Sequence, residues 1–171
     1  LKEFHPPASV YITDPTWANH AAIFQKCGFT VATLRYFDPS TRGLAFDAFL
    51  QDLERAPERS ILVLHTCAHN PTGVDPTMQQ WEQIEKVIAR RMHTVIFDTA
   101  YQGYASGDLD QDAASLRLFA ARGHNVMVCQ SFAKNLGLYG ERVGTLSILC
   151  PDEASVPAVI SRLEKVVRPQ V

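Results

Sequence analysis

The sequence predicts an α/β fold in which a mostly parallel sheet carries helices on both faces and ends in one antiparallel strand. Short apolar runs of strand length alternate with segments of helical spacing along the chain. Runs such as Ile61–His65 are apolar at nearly every position, which is typical of strands covered on both faces. Between Cys129 and Val143 there is no helical pattern, and the link is short for a parallel crossover. We therefore expect segment 143–149 to run antiparallel.

In the first half of the chain, β-rich runs at 9–13 and 30–36 predict strands on either side of a helix at 17–27. A second helix is predicted at 45–56, because apolar residues there recur on one helical face. These residues are Phe46, Phe49, Leu50 and Leu53.

In the second half, the predicted strands are 61–65, 94–97, 125–129 and 143–149. The predicted helices are 77–91, 112–122 and 153–167. No internal repeat, low-complexity tract or interior linker interrupts this alternation. The length of 171 residues is also that of one domain, so we expect residues 1–171 to share one core.

The composition excludes several classes of protein. With 46% hydrophobic and 20% charged residues and a net charge of -2, the chain has no electrostatic feature of a nucleic-acid or membrane-surface partner. No apolar run reaches the roughly 20 residues that span a bilayer, and segment 1–7 lacks a signal-peptide layout. None of the four cysteines forms a C-x-x-C pair, so we expect buried reduced thiols and a cytoplasmic or mitochondrial matrix protein that is not secreted.

Polar and aromatic residues follow four of the predicted strands. Ligands of open α/β sheets bind beyond the carboxyl ends of the strands, so these segments are expected to form one site. They are Asp14–His20, Cys67–Gly73, Asp98–Gly103 and Gln130–Asn135.

Asp98 and Lys134 are the residues whose chemistry is most distinctive. A carboxylate that closes an apolar strand requires a cationic or donor partner, and a pyridinium nitrogen would be one. An N-cap or an ion pair with an arginine would also account for Asp98. Lys134 lies between a strand end and two glycines, where an amine of lowered pKa could form an imine with an aldehyde. A surface lysine in a loop is the plainer interpretation.

Other residues at these strand ends have groups that suit a phosphorylated aromatic ligand. Ser131 and Arg142 could bind a phosphate, and the Asn70 amide and the Tyr101 hydroxyl could donate to a ring oxygen. Each also fits an ordinary turn or surface position.

Trp17 could stack on an aromatic ring, although it is equally suited to a core, and His20 could support Asp98 from behind. His65, Cys67 and His69 superficially resemble metal ligands. Because His65 ends a strand, helical ligand spacing does not apply, and no metal site is predicted.

Taken together, these segments resemble the aspartate aminotransferase family of fold-type I pyridoxal-phosphate enzymes. The segments that carry the resemblance, in order and at family-like spacing, are Asp-Pro-Thr-Trp-Ala-Asn-His (14–20), His-Thr-Cys-Ala-His-Asn-Pro-Thr-Gly (65–73), Phe-Asp-Thr-Ala-Tyr-Gln-Gly (97–103), Ala-Ser-Gly-Asp-Leu (105–109), Ser-Phe-Ala-Lys-Asn (131–135) and Gly-Leu-Tyr-Gly-Glu-Arg-Val-Gly (137–144).

The resemblance implies a role for each candidate residue. Lys134 would hold pyridoxal 5'-phosphate as a Schiff base and transfer the proton, Asp98 would pair with the pyridine nitrogen, and Tyr101 would assist at the ring oxygen. The further cofactor contacts that it implies are Asn70, Trp17, His20, Ser131 and Arg142.

For the substrate, the resemblance implies dicarboxylic amino acids and 2-oxo acids. Arg168 would grip the side-chain carboxylate from the neighbouring subunit of a homodimer, and Asn70 and Trp17 would line the same site. Family members are more than twice as long as this chain, so residues 1–171 would be the central part of the large domain, without the N-terminal segment and the C-terminal small domain.

Two alternatives remain at this point. Ser131-Phe132-Ala133-Lys134 fits the S-x-x-K motif of serine hydrolases, although the S-D-N and K-T-G partner tripeptides are absent from the sequence. A non-catalytic fragment that keeps the fold without the site is the other.

Overall fold

The structure is a computed structural model that describes residues 9–168. It forms a six-stranded sheet and a separate two-stranded hairpin. The strands are β1 (Val10–Asp14), β2 (Val31–Arg35), β3 (Phe37–Asp38), β4 (Gly43–Leu44), β5 (Ile61–His65), β6 (Thr94–Thr99), β7 (Val126–Ser131) and β8 (Gly144–Ile148). The helices are α1 (Asn19–Lys26), α2 (Phe46–Arg55), α3 (Met78–Arg90), α4 (Leu109–Asp112), α5 (Ala114–Ala121) and α6 (Val156–Val167).

The large sheet has the strand order β2-β1-β5-β6-β7-β8, and every adjacent pair is parallel except β7 and β8. The predicted antiparallel last strand is therefore confirmed. The segment between β7 and β8 contains turns and no helix, so the chain reverses there. The register sets His65 beside Asp98 and Asp98 beside Cys129, which aligns the carboxyl ends of β5, β6 and β7.

Alternate residues of the strands pack into two cores on opposite faces of the sheet. Leu62, Leu64 and Phe97 join a large core with helices α2, α3 and α5. Val63 and Ile96 belong to a smaller core against which residues of α1 pack. The prediction of helices on both faces is confirmed, and the runs that are apolar at every position are explained by burial on both sides.

Some boundaries differ from the predicted ones because caps and short turns leave little periodic pattern. The helix predicted at 112–122 is two helices, α4 and α5, and α4 begins three residues earlier, where the Asp108 carboxylate accepts from the amides of Asp110 and Gln111. The hairpin of β3 and β4 was not predicted, since strands of two residues show no alternation. A 3-10 turn, Glu153–Ser155, precedes α6.

The four cysteines are all free, and the prediction that they are buried is wrong for most of them. Cys67 is buried, but Cys27 and Cys129 are exposed and Cys150 is partly exposed. Cys129 follows the buried Val128 in β7, and successive side chains of a strand point to opposite faces of the sheet. Cys27 lies at the C-terminal end of α1.

None of the helices between residues 9 and 168 has the length and apolar character that crossing a membrane requires.

The edge formed by β8 and α6 is open to solvent in this chain. Helix α6 has an amphipathic pattern but buries none of its residues, and Ile160 is 51% exposed. Leu146 in β8 is likewise 51% exposed. The cores therefore lie over β2, β1, β5, β6 and β7, and this part of the sheet positions the candidate site.

The close approach of β8 to β7 gives a test of the fold beside the site. A Cβ on Gly144 would lie 2.4 Å from the carbonyl oxygen of Gln130, whereas a Cβ on Gly140 would meet no atom within 4 Å. We expect Gly144→Ala to lower the free energy of unfolding by about 1–3 kcal/mol, because the clash is with backbone that cannot rotate away. Gly140→Ala is the control and should change it little. Equal values for the two variants in urea unfolding would contradict this packing.

Candidate active site

A cavity of about 380 Å³ opens at the carboxyl ends of the strands and extends along the face covered by α1. Its size lies within the range of sites that bind small ligands. Its floor is apolar and includes Ile23, Phe24, Val63 and Ile96. Five of the predicted site residues line it: Trp17, His20, Asp98, Ser131 and Arg142.

Asp98 is held in the cavity wall by a histidine from another element. It lies in β6, and its side chain is 22% exposed. Nε2 of His20, on the first turn of α1, donates to Oδ2 of Asp98 at 2.8 Å. Within the described residues the second oxygen, Oδ1, has no hydrogen-bond donor. The carboxylate therefore has one oxygen fixed by His20 and one available to a ligand.

A directional chain of hydrogen bonds determines which ring nitrogen of His20 carries the hydrogen. The backbone N–H of Asn70 can only donate, and it donates to Nδ1 of His65 at 3.1 Å. The hydrogen of the neutral His65 ring is therefore on Nε2, which lies 3.4 Å from Oγ1 of Thr16. The Thr16 hydroxyl in turn is 2.8 Å from Nδ1 of His20, which leaves Nε2 of His20 as the donor to Asp98.

Burial keeps His65 neutral, as this chain requires. Burial lowers the pKa of His65 to about 4, an effect that the nearby Asp98 carboxylate only partly offsets. The ring of His20 contacts those of His65 and Trp17 edge to face, with centroid separations of 5.3 and 5.4 Å. Aromatic contacts on two sides therefore hold the His20 ring in the orientation that meets Asp98.

His20, His65 and Asp98 also form the group that most resembles a metal site among the described residues, since their ligand atoms lie within 4.8 Å of one another. The hydrogen-bond chain argues against a metal there. Nε2 of His65 carries a hydrogen because Nδ1 accepts from a backbone amide, so this nitrogen has no free lone pair for a cation.

The loop that carries Asn70 is supported by a second buried histidine. His69 is 2% exposed and stacks on Tyr36 with a centroid separation of 3.9 Å. Its ring nitrogens lie 2.9 Å from the Thr13 hydroxyl and 2.8 Å from the Thr72 hydroxyl. Burial lowers the pKa of His69 to about 3, so this ring too is neutral at pH 7. These roles of His69, Thr16 and His65 were not predicted, because the Thr13–His69 and Thr16–His65 contacts join residues 56 and 49 positions apart.

Lys134 and Tyr101 come together beside the cavity rather than on its wall. Nζ of Lys134 lies 5.1 Å from the centroid of the Tyr101 ring, within the range of a cation–π contact. Both side chains are partly buried. Among the described residues, Lys134 has no carboxylate partner.

Ser131 and Arg142 approach each other because β7 and β8 pair across them. Ser131 ends β7 and is in register with Gly144, two residues after Arg142. Nη1 of Arg142 donates to the carbonyl oxygen of Tyr139 at 3.1 Å. A hydroxyl and a guanidinium therefore share one wall of the cavity.

The remaining predicted site residues differ in position. Trp17 is 40% exposed on the cavity rim, so one face of its ring is free to stack. Asn70 is partly buried in the loop after β5. Arg168 lies at the end of α6, where its side chain is 80% exposed and its nearest acidic partner is Glu164 at 3.9 Å. Within this chain Arg168 does not join the group around Asp98.

Comparison with known proteins shows the family to which the chain belongs. A family model described as aminotransferase class I and II matches residues 1–171. The chain belongs to this family. Aspartate aminotransferase 3, chloroplastic, from Arabidopsis thaliana is 55% identical over 168 residues, which cover 98% of this chain and 37% of that protein. Other aminotransferase relatives are named as cytoplasmic and mitochondrial enzymes.

Solved structures of aminotransferases superpose closely on the chain. Aspartate aminotransferase from Trypanosoma cruzi has a TM-score of 0.94 and 49% identity, and the match covers 96% of this chain and 42% of that one. An aromatic-amino-acid aminotransferase from Burkholderia pseudomallei, covalently bound to pyridoxal phosphate, has a TM-score of 0.96 and 43% identity over 98% of this chain and 42% of that one. The chain thus spans about two fifths of the length of these aminotransferases.

The hydrogen-bond chain to Asp98 is tested by removing one hydroxyl. Thr16→Val keeps the shape of the side chain but leaves ring nitrogens of His20 and His65 without a partner. We expect the free energy of unfolding to fall by about 1–3 kcal/mol, the cost of unsatisfied polar groups. Thr16→Ser keeps the hydroxyl, so its free energy of unfolding should fall much less. In ¹⁵N spectra of the original chain, Nε2 of His65 should carry the hydrogen. A hydrogen on Nδ1 would contradict the assigned direction.

The two buried histidines predict how stability depends on pH. The pKa values of His65 and His69 lie below the unfolded value of 6.5, so below pH 6.5 the unfolded chain binds protons that the folded chain does not. Stability should therefore fall as the pH falls, by about 2 kcal/mol for each histidine between pH 7 and pH 5.

Urea unfolding at pH 7, 6 and 5 measures this dependence. His69→Gln should reduce the slope by about one proton. Ile88→Val is the control, because it removes a core methylene without removing a titratable group. If His69→Gln kept the full slope, His69 would not be neutral in the folded chain.

Proposed function

We propose that this chain is the central part of the large domain of an aspartate aminotransferase. The enzyme would transfer the amino group of aspartate to 2-oxoglutarate and give oxaloacetate and glutamate. Membership of the family and 55% identity to a named aspartate aminotransferase support this proposal. Within the chain, the observation that carries it is the Asp98 carboxylate, which lines the cavity while His20 binds only one of its oxygens.

The residues of the cavity fit pyridoxal 5'-phosphate. Oδ1 of Asp98 is available to a protonated ring nitrogen, Trp17 offers an exposed ring face, and Ser131 and Arg142 offer donors for a phosphate. The cavity therefore offers one carboxylate, one aromatic ring, one hydroxyl and one guanidinium, and these groups match the parts of this cofactor. When bound, the cofactor supplies an aldehyde that bonds to amino groups and a ring that accepts the electron pair left by proton removal.

Each residue of the chain then has a stated task. Asp98 would keep a proton on the pyridine nitrogen of the cofactor, because a carboxylate in a partly buried site favours a cationic partner. His20 keeps Asp98 in place through the hydrogen bond at 2.8 Å. Tyr101 and Asn70 would donate to the ring oxygen of the cofactor, and donors at that oxygen tune the protonation of the cofactor.

Lys134 would carry the covalent link and move the proton. Its amine is the group of this chain that would bond to the aldehyde of the cofactor. The same nitrogen, Nζ, would accept a proton from Cα of the substrate and give one back. The tyrosine ring at 5.1 Å limits the positions that this amine can take.

The substrate and the partner follow from the same proposal. A dicarboxylic amino acid or 2-oxo acid needs a fixed cation for its second carboxylate, and Arg168 would supply it to the site of the neighbouring subunit. Asn70 and Trp17 would line the substrate site from within the subunit. The exposed position of Arg168 suits such a contact. A homodimer in the cytoplasm or the mitochondrial matrix is proposed, although relatives also include a chloroplastic enzyme.

A second substrate class is supported by the aromatic-amino-acid aminotransferase that superposes at a TM-score of 0.96. Phenylalanine and tyrosine should therefore be assayed as substrates beside aspartate.

The serine-hydrolase alternative is not favoured. Ser131 ends a strand instead of opening a helix, and its Oγ accepts from the amide of Ala133 at 3.2 Å. The non-catalytic alternative is not favoured by the relatives either, since they are named as enzymes.

Borohydride trapping tests the proposal directly. Incubation with pyridoxal phosphate should give a visible absorption band, and borohydride should fix the cofactor on Lys134. Lys134→Ala should abolish the labelled peptide, whereas Lys86→Ala, which removes an exposed lysine of α3, should not. A label that persists on another lysine in Lys134→Ala would contradict the assignment. A folded chain with no band would favour a non-catalytic fragment, and a serine acylated by a β-lactam probe would favour the hydrolase.

A further inference from the structure

The loop between β6 and α4 is folded around a single buried carboxylate. Asp112, at the end of α4, is 4% exposed. Its oxygens accept from the backbone amides of Gly103, Ala105 and Ser106 at 2.7, 3.1 and 3.0 Å, and from the Ser106 hydroxyl at 2.6 Å. Burial alone would raise the pKa of Asp112, but these four hydrogen bonds lower it below its usual range, so the carboxylate is charged at neutral pH.

This loop contacts Tyr101 and Lys134, the two residues that the proposed function places on one cofactor. The loop begins beside Tyr101, whose carbonyl oxygen accepts from the amide of Tyr104 at 2.9 Å, which closes a tight turn. The Tyr104 hydroxyl then donates to the carbonyl oxygen of Lys134 at 3.0 Å. The side chain of Lys134 returns to the Tyr101 ring at 5.1 Å. Tyr101, Tyr104 and Lys134 are thus joined in a closed ring of three contacts.

A second contact ties the same loop to β7. Nε2 of Gln130 donates to Oε1 of Gln102 at 2.8 Å, and Nε2 of Gln102 donates to the carbonyl oxygen of Leu109 at 2.9 Å. The loop after β6 is therefore tied at Gln102 to β7 and at Tyr104 to the segment after β7, and both points lie within three residues of Tyr101.

We propose that Asp112 and Tyr104 are positioning residues that fix the separation between the Tyr101 hydroxyl and the Lys134 amine. Asp112 holds the loop that presents Tyr101, and Tyr104 ties the backbone of Lys134 to that loop. Neither residue lines the cavity. This inference rests on the proposed function, because the separation matters only if Lys134 and Tyr101 act on one cofactor.

The exposure of Tyr104 distinguishes this role from a packing role. Its side chain is 64% exposed, so the ring contributes little to a core and the hydroxyl contact is its main interaction. Tyr139 is a matched control in the neighbouring loop, since it is 61% exposed and its hydroxyl makes no hydrogen bond within the described residues. Tyr104→Phe and Tyr139→Phe each remove one oxygen from an exposed tyrosine.

The test uses the full-length enzyme that contains this chain, loaded with pyridoxal phosphate. We expect Tyr104→Phe to lower kcat about 5-fold to 10-fold with little change in KM, the effect of one lost hydrogen bond. The pH midpoint of the visible absorption band should shift upward, because a looser Tyr101 donates less well to the cofactor oxygen. Tyr139→Phe should change neither quantity.

Asp112→Asn gives a second and larger perturbation. An amide presents one acceptor oxygen and one NH₂ donor, so two of the four hydrogen bonds become repulsive contacts. We expect a larger upward shift of the absorption midpoint than in Tyr104→Phe. If Asp112→Asn does not fold, the comparison of Tyr104→Phe with Tyr139→Phe still tests the positioning role.

The two proposals fail in different ways. If borohydride labels Lys134 in the original enzyme but Tyr104→Phe leaves the absorption midpoint and kcat unchanged, the positioning role is overturned and the proposed function stands. If Lys134 is not labelled in the original enzyme, the proposed function fails and the positioning role fails with it.

Discussion

The hydrogen bond between Nε2 of His20 and Oδ2 of Asp98 is the contact on which the rest of the site depends. A carboxylate at the end of an apolar strand is costly without a donor, and His20 supplies one from a different element. The donor is fixed in turn by Thr16 and His65, and ultimately by the amide of Asn70. The Asn70 amide can only donate, so it determines which nitrogen of His20 carries the hydrogen, three hydrogen bonds away.

Two carboxylates, the partly buried Asp75 and the buried Asp112, organise the loops at this end of the sheet. Asp75 accepts from the amides of Ala68 and His69 and so holds the loop after β5. Asp112 does the same for the loop after β6, with four donors. Each carboxylate satisfies amides that have no partner in a strand or helix, and this converts irregular segments into rigid ones. The strands set the positions of the loops, and the carboxylates set their shapes.

Much of the fold follows from local pattern. Strands β1, β2, β5, β6 and β7 and the longer helices between them lie near their predicted positions, because burial on two faces and helical spacing both produce recognisable patterns in the sequence. The antiparallel β8 followed from the short link before it. The hairpin of β3 and β4, the division between α4 and α5, and the exposure of Cys27 and Cys129 were missed, since each depends on caps, turns or side-chain direction instead of periodicity.

The sequence by itself determined the alternation of elements, the strand ends at which a site should form, and the residues there whose groups suit one cofactor. It could do so because strand ends and residue chemistry are local properties. Only the tertiary structure decided how these residues are connected. The contact of His20 with Asp98 joins residues 78 positions apart, and that of Tyr104 with Lys134 joins residues 30 apart. The direction of a hydrogen bond and the partner of a buried carboxylate depend on distances that no spacing along the chain encodes.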